Sequence, residues 1–97
     1  MSKPIIGIIS PCFNEELVLN QTSAQLNSIV EDLISKSIIS EKSFVALIDD
    51  GSNDSTWKII EDTSKKYSYV KGLKLAKNVG HQNALLAGLL TYKDDAD

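Results

Sequence analysis

Arginine is absent from this chain of 97 residues: all ten basic side chains are lysines, set against thirteen acidic ones, for a net charge of -3. Such a balance lacks the basic stripe that a nucleic-acid footprint requires. Cys12 is the single cysteine, so no disulfide can close within the chain and a reducing, cytosolic setting is expected. Long hydrophobic runs are missing too. The longest apolar stretches, 5–9 and 84–90, fall far short of the roughly 20 residues that span a bilayer. The opening Met1-Ser2-Lys3-Pro4 carries no signal-peptide pattern. Internal repeats, low-complexity segments and an interdomain linker are likewise absent. What remains, 42% hydrophobic and 24% charged, describes one small soluble domain of modest stability.

The apolar residues fall into alternating patterns. Ile5 to Ile9 is β-branched and apolar on both faces, as a buried central strand would be, and Pro11 should end it for want of an N–H. From Glu15 to about Ser35, apolar spacing at Leu19, Thr22, Leu26, Ile29, Val30 and Leu33 predicts a helix with one inward face. Asn14 is suited to cap it, and Glu15 and Glu16 suit its dipole. A second strand, Phe44 to Ile48, runs into a dense turn signal, Asp49-Asp50-Gly51-Ser52-Asn53-Asp54. Asp54 or Ser55 can cap the next helix, whose inward face is marked by Trp57, Ile60, Ser64 and Tyr67. A third strand, Tyr69 to Leu75, carries Lys71 and Lys74, which place it near a sheet edge. A loop through Asn78 and Gly80 leads to a last helix, His81 to Tyr92. The order predicts an α/β fold with a parallel, Rossmann-like sheet and right-handed crossovers.

Ligands of open parallel sheets bind beyond the carboxyl ends of the strands. The loops there, Ser10 to Glu16 and Asp49 to Asp54, should therefore face one ligand if their strands are neighbours. Adjacent carboxylates repel, and a nucleobase N–H, ribose hydroxyls or a cation would relieve the repulsion at Asp49 and Asp50. Gly51 permits a positive φ and a close backbone approach. A plain capping turn accounts for the Ser, Asn and Asp that follow, but not for the acidic pair. Phe13 suits either the core, which local pattern slightly favours, or stacking on a base.

These residues carry a resemblance. Ser10-Pro11-Cys12-Phe13-Asn14-Glu15-Glu16 resembles the opening P-x-[YF]-N-E-E of family 2 glycosyltransferases of the GT-A fold. Ile48 to Thr56 resembles their V-D-D-G-S-x-D-x-T, and Lys77 to Leu89 resembles the R-N-x-G-x-x-A-A-x-x-A-G segment of the polyprenyl-phosphate branch. That branch includes dolichol-phosphate mannosyltransferases and bactoprenol glucosyltransferases. Together the motifs cover nearly the whole chain. The resemblance implies that residues 1–97 are the nucleotide-sugar-binding, amino-terminal half of a GT-A domain. The parent would transfer a hexose from a UDP- or GDP-sugar to a polyprenyl phosphate, with inversion, at the cytoplasmic face of the membrane. It further implies that Pro11, Phe13 and Glu15 line the nucleotide pocket and that Asp50, with Asp49 beside it, holds the base. Lys77, standing where the family usually has Arg, would meet a phosphate without the bidentate fork. His81, the lone histidine, reads as a hydrogen-bonding loop residue rather than a base.

The family binds a divalent cation, Mg²⁺ or Mn²⁺, through a D-x-D motif after a fourth strand. Asp95-Ala96-Asp97 fits as text only, because it follows a helix directly; the acidic end reads as solvated. With neither metal site nor downstream base, the chain alone should turn over no substrate. An unpaired edge beside the first strand should favour self-association; a single monomeric species in light scattering would count against it. A receiver domain would place its acidic pair after the first strand. A dinucleotide-binding unit would show G-x-G-x-x-G there. A non-catalytic binding or interaction module remains the alternative, and it predicts no affinity for nucleotide sugars.

Overall fold

The computed structural model describes residues 3–97. Three parallel strands, β1 (Gly7–Cys12), β2 (Phe44–Asp49) and β3 (Val70–Lys74), alternate with three helices. The helices are α1 (Leu19–Ser35), α2 (Thr56–Lys66) and α3 (His81–Tyr92). The sheet order is β1-β2-β3. In the central strand every side chain is buried, which explains its unbroken apolar run: both faces of the sheet are covered. Val45 and Leu47 pack under α1 and α2 with Leu19, Val30 and Ile60. Phe44, Ala46 and Ile48 face the other way, toward Ala84 of α3. The first two crossovers therefore lie on one face, and α3 lies on the other.

Gly88 sets how closely α3 approaches the sheet. A Cβ there would come within 2.6 Å of Ile9 Cγ2 and 3.0 Å of Ile48 Cγ1, so only a bare Cα fits at this crossing. The rest of α3 is apolar nearly all round, and Leu86, Leu89 and Leu90 are about half exposed.

Several local expectations change. β1 lies two to three residues later than the apolar run implies, and it is an edge strand in this sheet rather than the central one. Pro11 does not end β1 but pairs in register with Ile48. Ile6 O and Cys12 O accept from Phe44 N and Asp50 N, so by strand alternation the missing N–H of Pro11 faces the outer edge, where it costs no ladder bond. α1 begins at Leu19, not Glu15, and Asn14 does not cap it: Asn14 has φ 50°, and a turn closed by Val18 N and Leu19 N on Glu15 O intervenes. The inward face of α1 also rotates. Ile29 is exposed, whereas Ser23 and Asn27 are buried. Asp54, rather than Ser55, serves the start of α2, accepting from Thr56 N at 2.9 Å.

Candidate functional site

Three loops meet beyond the carboxyl ends of the strands. Asp50 N donates to Cys12 O at 2.8 Å and Leu75 N to Asp49 O at 2.9 Å, so the three strands finish level. Gly51 has φ 69°, and a Cβ there would run into Asn78 N and the Lys77 carbonyl carbon. The turn after β2 thus touches the loop after β3 backbone to backbone.

The acidic pair divides its work. Strand alternation points the two side chains in different directions. Asp50, 1% exposed, accepts on Oδ1 from Val79 N at 2.8 Å, and on Oδ2 from Gly80 N and Asn78 Nδ2, each at 3.1 Å. Asn78 Nδ2 also reaches the Asp50 carbonyl oxygen at 3.1 Å. A carboxylate has about four acceptor positions, so Asp50 shapes the β3–α3 loop and still has one position on Oδ1. Asp49, fully buried, accepts from Ser52 N on Oδ1 at 3.1 Å, and its Oδ2 has no partner.

A cavity of about 320 Å³ lies between Phe13, Asp50, Asn78, Gly80 and His81. Phe13 is half-buried and belongs to neither hydrophobic cluster, so the cavity wall, not the core, is its place. Four of the sequence-derived residues lie outside this cavity. Pro11 sits beneath it in β1, and Asp49 is turned away under the β1–α1 loop. Glu15 is half-buried at the same loop. Lys77 is exposed and lines a separate apolar groove with Leu75, Val79 and Leu86. A larger hollow, about 670 Å³, opens between Lys3, Ile34, Glu41 and Asp97. It is lined by charged side chains as well, but it lies at the opposite rim, where parallel sheets do not place ligands.

Local pattern did not expose how firmly the first two loops are joined. Asn14 N donates to Ser52 Oγ at 3.0 Å, and Asn53 N to Asn14 Oδ1 at 2.9 Å. Glu15 N donates to Thr56 Oγ1 at 2.9 Å, and Ser55 N to Glu16 Oε2 at 3.0 Å. The only advance signal was the crowding of short polar side chains in both segments, which capping explained equally well. Asp54, accepting from the Thr56 hydroxyl, is held below its ordinary value of 3.8 mainly by that bond. Its carboxylate therefore supports the fold at neutral and weakly acidic pH, and that support is lost as pH falls through the lowered value.

Cys12, 1% exposed, lies under the same loop. Burial, with added repulsion from Glu15 and Asp49, pushes its thiol from 9.0 up to about 12. The folded chain keeps this proton where the unfolded chain releases it, so the native state loses ground as pH climbs past 9.0. Cys12 is expected to resist iodoacetamide in the native protein and to react once urea unfolds it. Alkylation at equal rates in both states would contradict this burial.

The D-x-D text at the C-terminus is not part of the cleft. Asp97 N donates to Ile5 O at 3.0 Å, and Asp97 Oδ2 accepts from Ile5 N at 2.8 Å, at the amino-terminal rim of the sheet. These carboxylates do not fit a metal serving the cavity. Among the described residues no three His, Cys, Asp or Glu side chains form a metal-binding group, and no helix is long and apolar enough to cross a membrane.

Residues 7–96 match the family model described as Glycosyl transferase family 2. The chain is 51% identical to the uncharacterized glycosyltransferase YkoT of Bacillus subtilis over 96 residues, 99% of this chain and 28% of that protein. It is 30% identical to the uncharacterized glycosyltransferase YkcC of the same organism over 83 residues, 86% of this chain and 24% of that one. With an undecaprenyl-phosphate 4-deoxy-4-formamido-L-arabinose transferase of Aeromonas hydrophila it shares 30% identity over 92 residues, 94% of this chain and 26% of the relative. The chain spans about a quarter of the length of these curated relatives.

Proposed function

Because this chain belongs to glycosyl transferase family 2, we propose that its carboxyl-rim cleft holds the nucleoside of a UDP- or GDP-linked sugar donor. Residues 1–97 are then the donor-binding portion of a glycosyltransferase domain. The observation that carries this reading is that Phe13 and Asp50 line one cavity. The Phe13 ring offers a face to stack a base, and the remaining acceptor position of Asp50 takes a ring N–H. Pro11 and Asp49 lie outside the cavity and act through their near neighbours in the chain, Phe13 and Asp50. Glu15, outside the cavity but on the loop that carries Phe13, accepts from a ribose hydroxyl, and Lys77 swings its ammonium toward the diphosphate.

The whole protein transfers the sugar, in this reading, to a polyprenyl phosphate at the cytoplasmic face of the membrane, with inversion. The names of relatives that act on undecaprenyl phosphate support that acceptor class. A lipid phosphate is already anionic and needs little help from a general base. The Mg²⁺ or Mn²⁺ that would neutralise the leaving diphosphate finds no fitting group of residues in this cleft, so no step is assigned to it. The outer edge of β1, flanked by the exposed Leu85 and Leu89 of α3, supports self-association of the chain.

Calorimetric titration with UDP and with GDP tests the reading. Saturable binding of one of them is expected, with no sugar transfer to polyprenyl phosphate by the chain alone. If UDP, GDP, UDP-glucose and GDP-mannose all fail to bind at millimolar concentration, the donor reading fails and the interaction-module alternative stands.

A further inference from the structure

The polar seam between the first two loops contains one side chain that nothing in the donor reading uses. Thr56 opens α2 and is fully buried. Its N–H and hydroxyl both donate to Asp54 Oδ1, while its Oγ1 accepts from Glu15 N at 2.9 Å. The hydroxyl therefore both donates and accepts, with its donor proton on one loop and its acceptor lone pair on the other. A capping turn for α2 needs only the bond from Thr56 N to Asp54. The link to Glu15 does nothing for the helix and much for the cleft, because Phe13 lies two residues before Glu15. Asn14, with φ 50° and its Oδ1 on Asn53 N, fixes the stretch between them.

We propose that Thr56 is a positioning residue for the nucleotide cleft: its buried hydroxyl ties the Glu15 amide to the Asp54 carboxylate and so holds Phe13 at a fixed height over the turn that carries Asp50. This role rests on the donor-binding reading of the cleft. Through it the two loops behave as one body, and a ligand that touches both meets a surface already formed, which spares it the cost of ordering them.

Thr56→Val keeps the volume and removes the hydroxyl; Thr56→Ser keeps the hydroxyl. Each is titrated with UDP and GDP at a temperature where circular dichroism shows it folded, and amide hydrogen exchange is followed in the same samples. The valine variant is expected to bind the nucleotide about tenfold more weakly, the factor that one lost buried hydrogen bond corresponds to. Glu15 and Glu16 should exchange faster in it, and serine should restore both readouts. Wild-type affinity in a folded Thr56→Val chain, or unchanged exchange at Glu15 while nucleotide binding persists, overturns the role. If Thr56→Val does not fold, Asn14→Gly at the exposed side of the seam replaces it. Exchange should then quicken in both loops together, and quickening confined to residues 13–16 overturns the coupling. A wild-type chain that binds neither nucleotide sinks the donor reading and this role with it, an outcome distinct from binding that is insensitive to Thr56.

Discussion

Gly51→Ala is expected to destabilise the chain by about 2–5 kcal/mol, the sum of two penalties. A side chain held at φ 69° sits in the left-handed region, which costs a non-glycine residue roughly 1–2 kcal/mol. The added Cβ also meets the backbone of Asn78, whose Cα would stand only 3.0 Å away. Backbone cannot rotate aside as a flexible side chain would, so overpacking adds about 1–3 kcal/mol. Domains are stable by only about 5–15 kcal/mol, and short chains bury a smaller share of their surface. The change therefore removes a large part of the total. In urea the midpoint should fall with little change of slope. Because the displaced segment leads into Val79 and Gly80, nucleotide binding should weaken with it. A variant within about 0.5 kcal/mol of wild type, the range of neutral surface changes, would show that the β3–α3 loop does not lie against this turn.

Asp50→Ala should abolish nucleotide binding and also destabilise, by about 2–4 kcal/mol. Val79 N and Gly80 N lose their acceptor, and Asn78 Nδ2 loses one of its two, keeping the carbonyl oxygen of residue 50. A buried donor left unpaired costs about 1–3 kcal/mol, and the exposure of Val79 and Asn78 lets water offset part of the sum. Asp50→Asn is the sharper variant. Its amide presents one oxygen and two N–H groups to a site made only of donors, so it should behave nearly as badly as alanine despite the matched shape. Urea denaturation and calorimetric titration read the two effects separately. An asparagine variant with wild-type stability and affinity would mean that the carboxylate neither organises the loop nor meets the base.

The two predictions draw on one feature, the meeting of the β2–α2 turn with the loop after β3, and the sequence hinted at only half of it. Asp49-Asp50-Gly51 stood out because a capping turn does not need two carboxylates. Nothing local said that Asp50 would fasten the segment from Asn78 to Gly80, since those residues are separated from it by a helix and a strand. Phe13 shows the same limit. As one aromatic after a strand it fitted the core slightly better than a ligand, and only the arrival of Gly80 and His81 beside it makes a cavity. Lys77 shows it too: its place in a motif suggested the cleft, and the structure sets it among the residues that line the groove beside α3.

Element boundaries divided along similar lines. α3 was legible to the residue because the loop glycine Gly80 and the run from Ala84 to Leu90 are local signals. α1 was not, because Asn14 and Glu16 prefer partners on the neighbouring loop to capping their own helix. Pro11 stayed in β1 because its missing donor faces outward, which depends on where β2 pairs.

The sequence by itself determined the alternation of strands and helices, the rim at which chemistry should occur and the family, because periodicity and short motifs are properties of neighbouring residues. Only the tertiary structure decided which of Asp49 and Asp50 lines the cavity, and which residues join the loops that frame it. Strand alternation sends adjacent side chains to opposite faces, and what waits on each face is set by chain that returns from far away in the sequence.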